Sequence, residues 1–228
     1  MLNTFLCDWR GSVHLVIEED SIRGQWRLTV NDASPIGAGG LAPTDLHMHG
    51  CTGVDISSML RQGPNVIRVL LITDKPDGGL RSPLYLAGDF GVWRDGPDGL
   101  CRLGARPATG RFGAYLANGL PFYSGIVEYE RDVTLQPPSG EHVMLRLDAS
   151  EPFEDSCEIS LNSAAFIPLP WSPRIAAIPG GTLRPGRNSV KLRVLTSRCR
   201  SFDGQYFDVQ AHECRDVWQE SPRPAPSE

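Results

Sequence analysis

Hydrophobic and polar residues alternate along the chain in short runs, a pattern typical of β-strands that bury one face and expose the other. Such runs occupy residues 13–17, 26–30, 143–147 and 157–161. A further strand is predicted over residues 125–136, and the apolar segment 66–72 predicts a strand that is buried on both faces. Only residues 54–60 suit a helical turn or two. The pattern therefore predicts an all-β protein built from antiparallel sandwiches.

Three blocks of sequence occur twice in the same order, which indicates an internal repeat. The pairs are 13–17 with 143–147, 26–31 with 157–162, and 60–65 with 183–188, at offsets of 130, 131 and 123 residues. The last pair reads LRQGPN and LRPGRN. In each copy we expect the glycine, Gly63 or Gly186, to adopt a positive φ and the Asn to bond nearby backbone. The motif is thus a turn that begins a strand.

The repeat predicts two tandem antiparallel β-sandwich units, one over residues 1–95 and one over residues 96–217. At an offset of 130, the first unit's counterpart of strand 125–136 falls mostly before residue 1, so we expect the first unit to be truncated at its N-terminus. Residues 94–119 are rich in Gly, Arg and Pro, and we interpret them as a linker with at most one short strand. Residues 218–228 are predicted to be a disordered Pro-rich tail.

Composition and charge argue against several classes of function, namely binding to nucleic acid, binding to anionic membranes and spanning a membrane. The chain has 228 residues, of which 40% are hydrophobic and 21% charged, and its net charge of -5 provides no basic surface for nucleic acid or an anionic membrane. No apolar stretch approaches a membrane span of about 18 residues. The start has no signal-peptide pattern, so the localisation stays open. The six cysteines include no C-x-x-C pair and are interpreted mostly as small buried residues. Nothing implies a cofactor.

Longer motifs accompany the strand pattern. They are PLYLAGDF at residues 83–90, GLPFYSG at 119–125 with Tyr129 and Glu130, and, in the second copy, Asn162 with Phe166, Trp171-Ser172-Pro173 and the LRPGRN turn. Together they resemble the galactose-binding-like accessory β-sandwich domains of large bacterial glycoside hydrolases, such as α-L-rhamnosidase-like proteins and the sugar-binding domain of β-galactosidase-type enzymes. The likeness covers most of residues 12–210 and implies a jelly-roll sandwich.

The resemblance implies a non-catalytic carbohydrate-binding or scaffolding region of a glycoside hydrolase, with a glycan and a catalytic domain as its partners. A catalytic barrel of about 250 residues does not fit in this chain. The alternative is a structural or protein-interaction module that binds no glycan. We expect no catalytic residue: Glu128 and Glu130 share one face of a predicted strand and are interpreted as a solvated surface, not as the acid pair of a glycosidase.

Glycan binding needs an aromatic face that stacks on a pyranose ring and polar groups that bond its hydroxyls. We expect Trp171 to stack on the sugar, and Arg174 and Asn162 to bond its hydroxyls, on a proline-rich connection of the second copy. The alternative is that Trp171 closes the hydrophobic core, as large aromatic residues usually do.

One segment contains residue types that bind metals. Asp45, His47, His49 and Cys51 occur at every second position, so a strand would direct all four side chains to one face. Imidazole, thiolate and carboxylate groups are zinc ligands. We nevertheless predict a polar loop without a metal here; if zinc binds, His47, His49 and Cys51 are the expected ligands.

Overall fold

The computed structural model describes residues 2–95, 99–136, 142–147, 155–198, 200–201, 204–208 and 211–219. Most of these residues lie in or between β-strands, so the all-β prediction is confirmed. Short 3-10 turns occur at Ala38–Gly40, Ser57–Met59 and Val217–Gln219, the second of them inside the segment 54–60. Residues 220–228 of the Pro-rich tail lie outside the described residues. No described helix is long and apolar enough to cross a membrane.

The chain divides into two compact units, Met1–Pro107 (unit 1) and Ala108–Glu228 (unit 2). The strands of unit 1 are β1 Leu2–Cys7, β2 His14–Ile17, β3 Ile22–Arg23, β4 Gln25–Val30, β5 Ala42–Thr44, β6 Cys51–Asp55, β7 Gly63–Ile72, β8 Gly79–Leu80, β9 Leu84–Ala87, β10 Gly91–Asp95 and β11 Leu100–Gly104. One sheet has the order β10-β11-β1-β7-β4, another has the order β5-β6-β2-β9, and β3 pairs with β8. Their pairings are antiparallel except that of β1 with β11, which is parallel.

The core of unit 1 lies between the five-stranded and the four-stranded sheets. Alternate residues of the strands point into it, and its most buried members include Leu15, Leu28, Val30 and Ile56. The segment 66–72 was expected to be buried on both faces, and this is wrong. Val69 is buried, whereas Leu70 and Ile72 are 51% and 61% exposed, because the outer face of β7 is not covered by another layer.

The predicted linker contains more structure than expected. Within residues 94–119, the end of β10 and the whole of β11 form an antiparallel pair, Asp95 with Leu100, that belongs to the main sheet of unit 1. Leu103 is 3% exposed and packs in the core. A strand of only five residues, here LCRLG, gives little periodic signal in the sequence.

The strands of unit 2 are β12 Ile126–Leu135, β13 His142–Arg146, β14 Ser156–Leu161, β15 Ile167–Leu169, β16 Ile175–Pro179, β17 Gly186–Leu195, β18 Gln205–Asp208 and β19 Glu213–Asp216. One sheet has the order β12-β17-β14-β15, while β13 pairs with β16 and β18 pairs with β19. The core lies between the first sheet and the β13–β16 pair, and includes Ile159, Leu161, Ile178 and Val194. Unit 2 is thus also an antiparallel β-sandwich.

The opening strands of the two units differ in length. In unit 2, β12 pairs with β17 over ten residues, from Ile126 with Leu195 to Leu135 with Gly186. In unit 1, β1 has six residues and pairs with β7 in the same way, ending at Cys7 with Gly63. The strand β1 of unit 1 is therefore four residues shorter than β12 of unit 2.

The LRxGxN motif forms the same turn in both units. Gly63 and Gly186 have φ values of 86° and 90°, a region that disfavours residues with a side chain. Asn65 accepts a hydrogen bond from the Arg61 amide and donates to the carbonyls of Arg61 and Gly63, at 2.8–2.9 Å. Asn188 makes the equivalent bonds to the backbone of residues 184 and 186. The predicted turn chemistry is confirmed.

Candidate functional site

Trp171 lies on the short connection between β15 and β16 of unit 2, and its side chain is 74% exposed. The connection is fixed at both ends in the core, by Leu169 and Ala176, which are 2% and 3% exposed. The Arg174 carbonyl also accepts a hydrogen bond from the Leu147 amide at 3.0 Å. The indole therefore does not close the core. It is in contact with solvent, on a segment that is anchored in the core before and after it by Leu169 and Ala176.

Arg174 points from the same connection toward the body of unit 2. Its Nη2 donates to the Asp155 carbonyl at 3.0 Å. Its side chain also lies beside Cys157: burial raises the pKa of that thiol, and the positive charge of Arg174 partly opposes the rise. Arg174 thus joins the Trp171 connection to the start of β14. The sequence predicts a bond from Arg174 to a sugar hydroxyl, and this role stays a prediction.

Asp155 belongs to a polar cluster that the sequence did not indicate. Its Oδ2 accepts a hydrogen bond of 2.6 Å from the hydroxyl of Tyr115, which is 2% exposed. The guanidinium carbon of Arg200, itself 4% exposed, lies 4.1 Å from the centre of the Tyr115 ring. Burial, and then the charge of Asp155, raise the pKa of Tyr115 far above its usual range, so its hydroxyl stays a donor. Asp155 is therefore bonded by Tyr115 at its carboxylate and by Arg174 at its carbonyl, while Arg200 packs on the Tyr115 ring.

This cluster was missed because its members are distant in sequence. Tyr115 lies in the segment interpreted as a linker, and Asp155 and Arg200 lie outside the periodic blocks. A large aromatic residue in a segment otherwise rich in Gly and Arg was the only available signal, since an isolated aromatic in a loop often marks an anchored segment.

Asn162 lies at the other end of β14 from Asp155. It follows β14 at the end opposite Cys157, five residues away, or about 17 Å along a strand. Its Nδ2 donates to the carbonyl of Thr182 and to Oδ1 of Asn188, both at 2.7 Å, and its Oδ1 accepts from the Ser189 amide at 3.0 Å. Both hydrogens of the Asn162 side-chain amide thus bond within unit 2, one to Thr182 and one to Asn188 of the LRPGRN turn, and the predicted bond from Asn162 to a sugar hydroxyl stays a prediction.

The residues considered for metal binding do not converge. The ring of His47 is stacked on Tyr85, with centroids 3.8 Å apart, and its Nε2 lies 3.4 Å from Glu18. His49 is fully exposed and lies beside Asp45, with Nδ1 and Oδ1 3.2 Å apart. Cys51 is buried, and burial raises the pKa of its thiol. Among the residues that the structure describes, no group of three or more His, Cys, Asp or Glu is arranged to hold a metal ion.

Glu128 and Glu130 lie in a ladder of ion pairs on the outer face of the β12-β17-β14 sheet. Lys191 is 3.4 Å from both carboxylates, and Nε of Arg193 is 2.8 Å from Glu128. The hydrogen bond from Arg193 lowers the pKa of Glu128. A glycosidase acid needs a raised pKa, so the environment of Glu128 opposes that chemistry. These carboxylates belong to a solvated ionic surface.

No protein-family description and no curated protein sequence matches the chain. Solved structures that match the chain include an FMN-binding β-glucuronidase from Facaelibacterium prausnitzii L2-6, with 12% identity and a TM-score of 0.28, matched over 86% of this chain and 26% of that chain. Another is an α-L-rhamnosidase from Streptomyces avermitilis complexed with L-rhamnose, with 13% identity and a TM-score of 0.29, matched over 85% of this chain and 21% of that chain. The chain thus spans about a quarter of the length of these glycoside hydrolases or less.

Proposed function

We propose that the chain is a non-catalytic, carbohydrate-binding β-sandwich region of a glycoside hydrolase, and that Trp171 is its sugar-stacking residue. The observation that carries the proposal is the 74% exposure of an indole on a connection held at both ends. Large aromatic side chains are usually removed from water during folding. An indole kept in water on a constrained backbone is what stacking on the apolar face of a pyranose requires.

The constrained backbone favours binding for a physical reason. A single sugar offers few atoms, so ordering a flexible loop would cancel much of its binding free energy. Here Arg174 and the anchors Leu169 and Ala176 fix the connection before a ligand arrives. We expect dissociation constants from the high micromolar to the millimolar range, or about 4 to 6 kcal/mol.

The test is a calorimetric titration of the chain with galactose and with L-rhamnose, the sugars suggested by the sequence resemblance. The Trp171→Ala variant is expected to bind less sugar per chain than the wild type while its melting temperature is unchanged, because an exposed side chain contributes little to stability. Leu70→Ala, which removes a 51% exposed aliphatic side chain from unit 1, is the control and is expected to bind normally. Unchanged affinity and unchanged stoichiometry in Trp171→Ala would refute the assignment.

A protein-interaction role is the second candidate, and one observation favours it. Met144 and Ile175 lie on the outer face of the β13–β16 pair and are 64% and 44% exposed. Neutral sugars do not need aliphatic contacts of this kind, whereas protein partners do. If the chain binds neither sugar, and the double substitution of Met144 and Ile175 by Ser weakens its association with a glycoside hydrolase catalytic domain, the interaction role is supported.

A further inference from the structure

A second tryptophan, Trp93, occupies an unusual position on the main sheet of unit 1. Gly91 and Gly104 are directly paired across β10 and β11. A methyl group added to Gly91 would lie 2.8 Å from Cζ3 of Trp93 and still closer to Cη2, and one added to Gly104 would lie 3.3 Å from Cζ3. The six-membered ring of the indole therefore occupies the space above two facing glycines.

Trp93 lies on the outer face of this sheet. Its neighbour Val92 packs against the core of unit 1, and Leu103, the partner of Val92 in β11, is buried in that core. Because successive side chains of a strand point to opposite faces, Trp93 and its partner Arg102 point outward. The indole is only half-buried, so part of it remains in contact with water.

Charged groups border the indole on one side. The guanidinium carbon of Arg102 lies 5.2 Å from the centre of the Trp93 ring. Nε of Arg102 donates to Asp95 at 2.5 Å, and its Nη1 lies 4.0 Å from Asp8. Both hydrogen-bond donors and acceptors are thus fixed next to an aromatic surface.

We propose that Trp93 is a second saccharide-stacking surface, located in unit 1, with Arg102 and Asp95 as the groups that bond sugar hydroxyls. This inference rests on the proposed carbohydrate-binding function and extends it to a second site. A neutral pyranose is the expected ligand class, because the ring offers an apolar face to the indole and hydroxyls to both a guanidinium and a carboxylate.

The two glycines account for the orientation of the indole. A side chain at either position would push the ring away from the sheet, whereas two hydrogen atoms let it lie close to the backbone of both strands. A ring supported by two paired strands loses little freedom when a sugar stacks on it.

The test follows the indole N–H signals of Trp93 and Trp171 in the NMR spectrum of the full chain, each assigned from its loss in the Trp→Ala variant. The probes are galactose, L-rhamnose and a soluble galacto-oligosaccharide. We expect a sugar to shift both signals in the wild type, and to shift the Trp93 signal in Trp171→Ala. If only the Trp171 signal moves, the second site is refuted and the proposed function stands. If neither moves, both fail.

A glycine substitution tests the support beneath the ring without removing the aromatic group. Gly91→Ala is expected to weaken binding at Trp93 by about two- to tenfold, the range for loss of an aromatic contact. Gly39→Ala is the matched control, because an added methyl group meets no atom within 4 Å there. Circular dichroism and melting temperature establish that both variants are folded. Equal affinity at Trp93 in Gly91→Ala and the wild type would overturn the proposal.

Discussion

Asn65 accepts a hydrogen bond of 2.8 Å from Nδ2 of Asn31, and in unit 2 Asn188 accepts one of 2.7 Å from Asn162. In both units the pair joins the end of one strand to the turn that begins the long central strand. Asn65 and Asn188 are fully buried, so their hydrogen bonds replace water that cannot reach these backbone groups.

The burial of the Asn188 side chain allows the effect of its removal on the free energy of unfolding to be predicted. Asn188→Ala would leave buried backbone groups of the LRPGRN turn and the Asn162 amide without their partner, so we expect a loss of about 3 kcal/mol in the free energy of unfolding. Urea denaturation followed by circular dichroism measures it. Asn3→Ala, at an exposed position of β1, is the control and is expected to change stability by less than about 0.5 kcal/mol. A loss below about 1 kcal/mol for Asn188→Ala would contradict the structural role of the pair.

The turn glycine provides a test of backbone conformation alone. A methyl group added to Gly186 meets no atom within 4 Å, but its φ of 90° disfavours any L-residue. We expect Gly186→Ala to destabilise unit 2 by about 1 to 2 kcal/mol. Gly39 has equally open surroundings without a positive φ, so Gly39→Ala should be neutral or stabilising by up to about 1 kcal/mol. Equal effects of the two variants in thermal unfolding would exclude this explanation.

His47 and His49 offer a matched pair in one loop. The His47 side chain is 7% exposed and stacks on Tyr85, whereas that of His49 is 99% exposed. Loss of the stacked ring in His47→Ala should cost about 1 to 2 kcal/mol, and His49→Ala should cost nothing measurable. Chemical denaturation of both variants gives the comparison. A larger effect for His49→Ala, or a zinc-dependent difference between them, would restore the metal-binding alternative.

The raised pKa of Tyr115 predicts a dependence of stability on pH. In the unfolded chain a tyrosine loses its proton near pH 10, while Tyr115 in the folded unit keeps it because of burial and Asp155. The stabilisation is therefore complete below about pH 10 and decreases by about 1.4 kcal/mol per pH unit above it. Denaturation at roughly pH 10.5 and 11.5 measures this slope. Tyr115→Phe should unfold more easily at pH 8 and show a shallower alkaline slope; an unchanged slope would show that Tyr115 is not the responsible group.

The sequence predicted the elements in which side chains alternate cleanly. Residues 26–30 and 157–161 are the β4 and β14 strands, and the LRxGxN motif forms the expected turn. It did not predict β10 and allowed only one short strand, without bounds, where β11 lies, because the paired glycines Gly91 and Gly104 remove the outward polar or apolar residue that the alternation needs. The same two glycines that interrupt the alternation also leave the space in which the Trp93 ring packs.

The candidate site was predicted in part. The sequence selected Trp171 but could not decide between core and surface, since exposure depends on which strands cover a loop. It grouped Asn162 with Trp171 because both lie in one connected segment, although β15 carries the chain back along the sheet between them. An Asn after a strand has the same sequence signature whether its amide faces a ligand or a buried turn. Only the three-dimensional structure distinguishes an Asn that faces a ligand from one that bonds a buried turn.

The parallel pairing of β1 with β11 has a consequence for how unit 1 forms. Leu6 and Arg102 are neighbours in the sheet but lie 96 positions apart in the chain, and such distant contacts slow folding because a long loop must close first. During synthesis from the N-terminus, the edge of β1 that pairs with β11 stays unpaired until residues 100–104 have left the ribosome. An unpaired edge is a template for association with other chains. A version of unit 1 that ended at residue 95 would keep that edge open permanently, and its yield of soluble protein would fall for this reason.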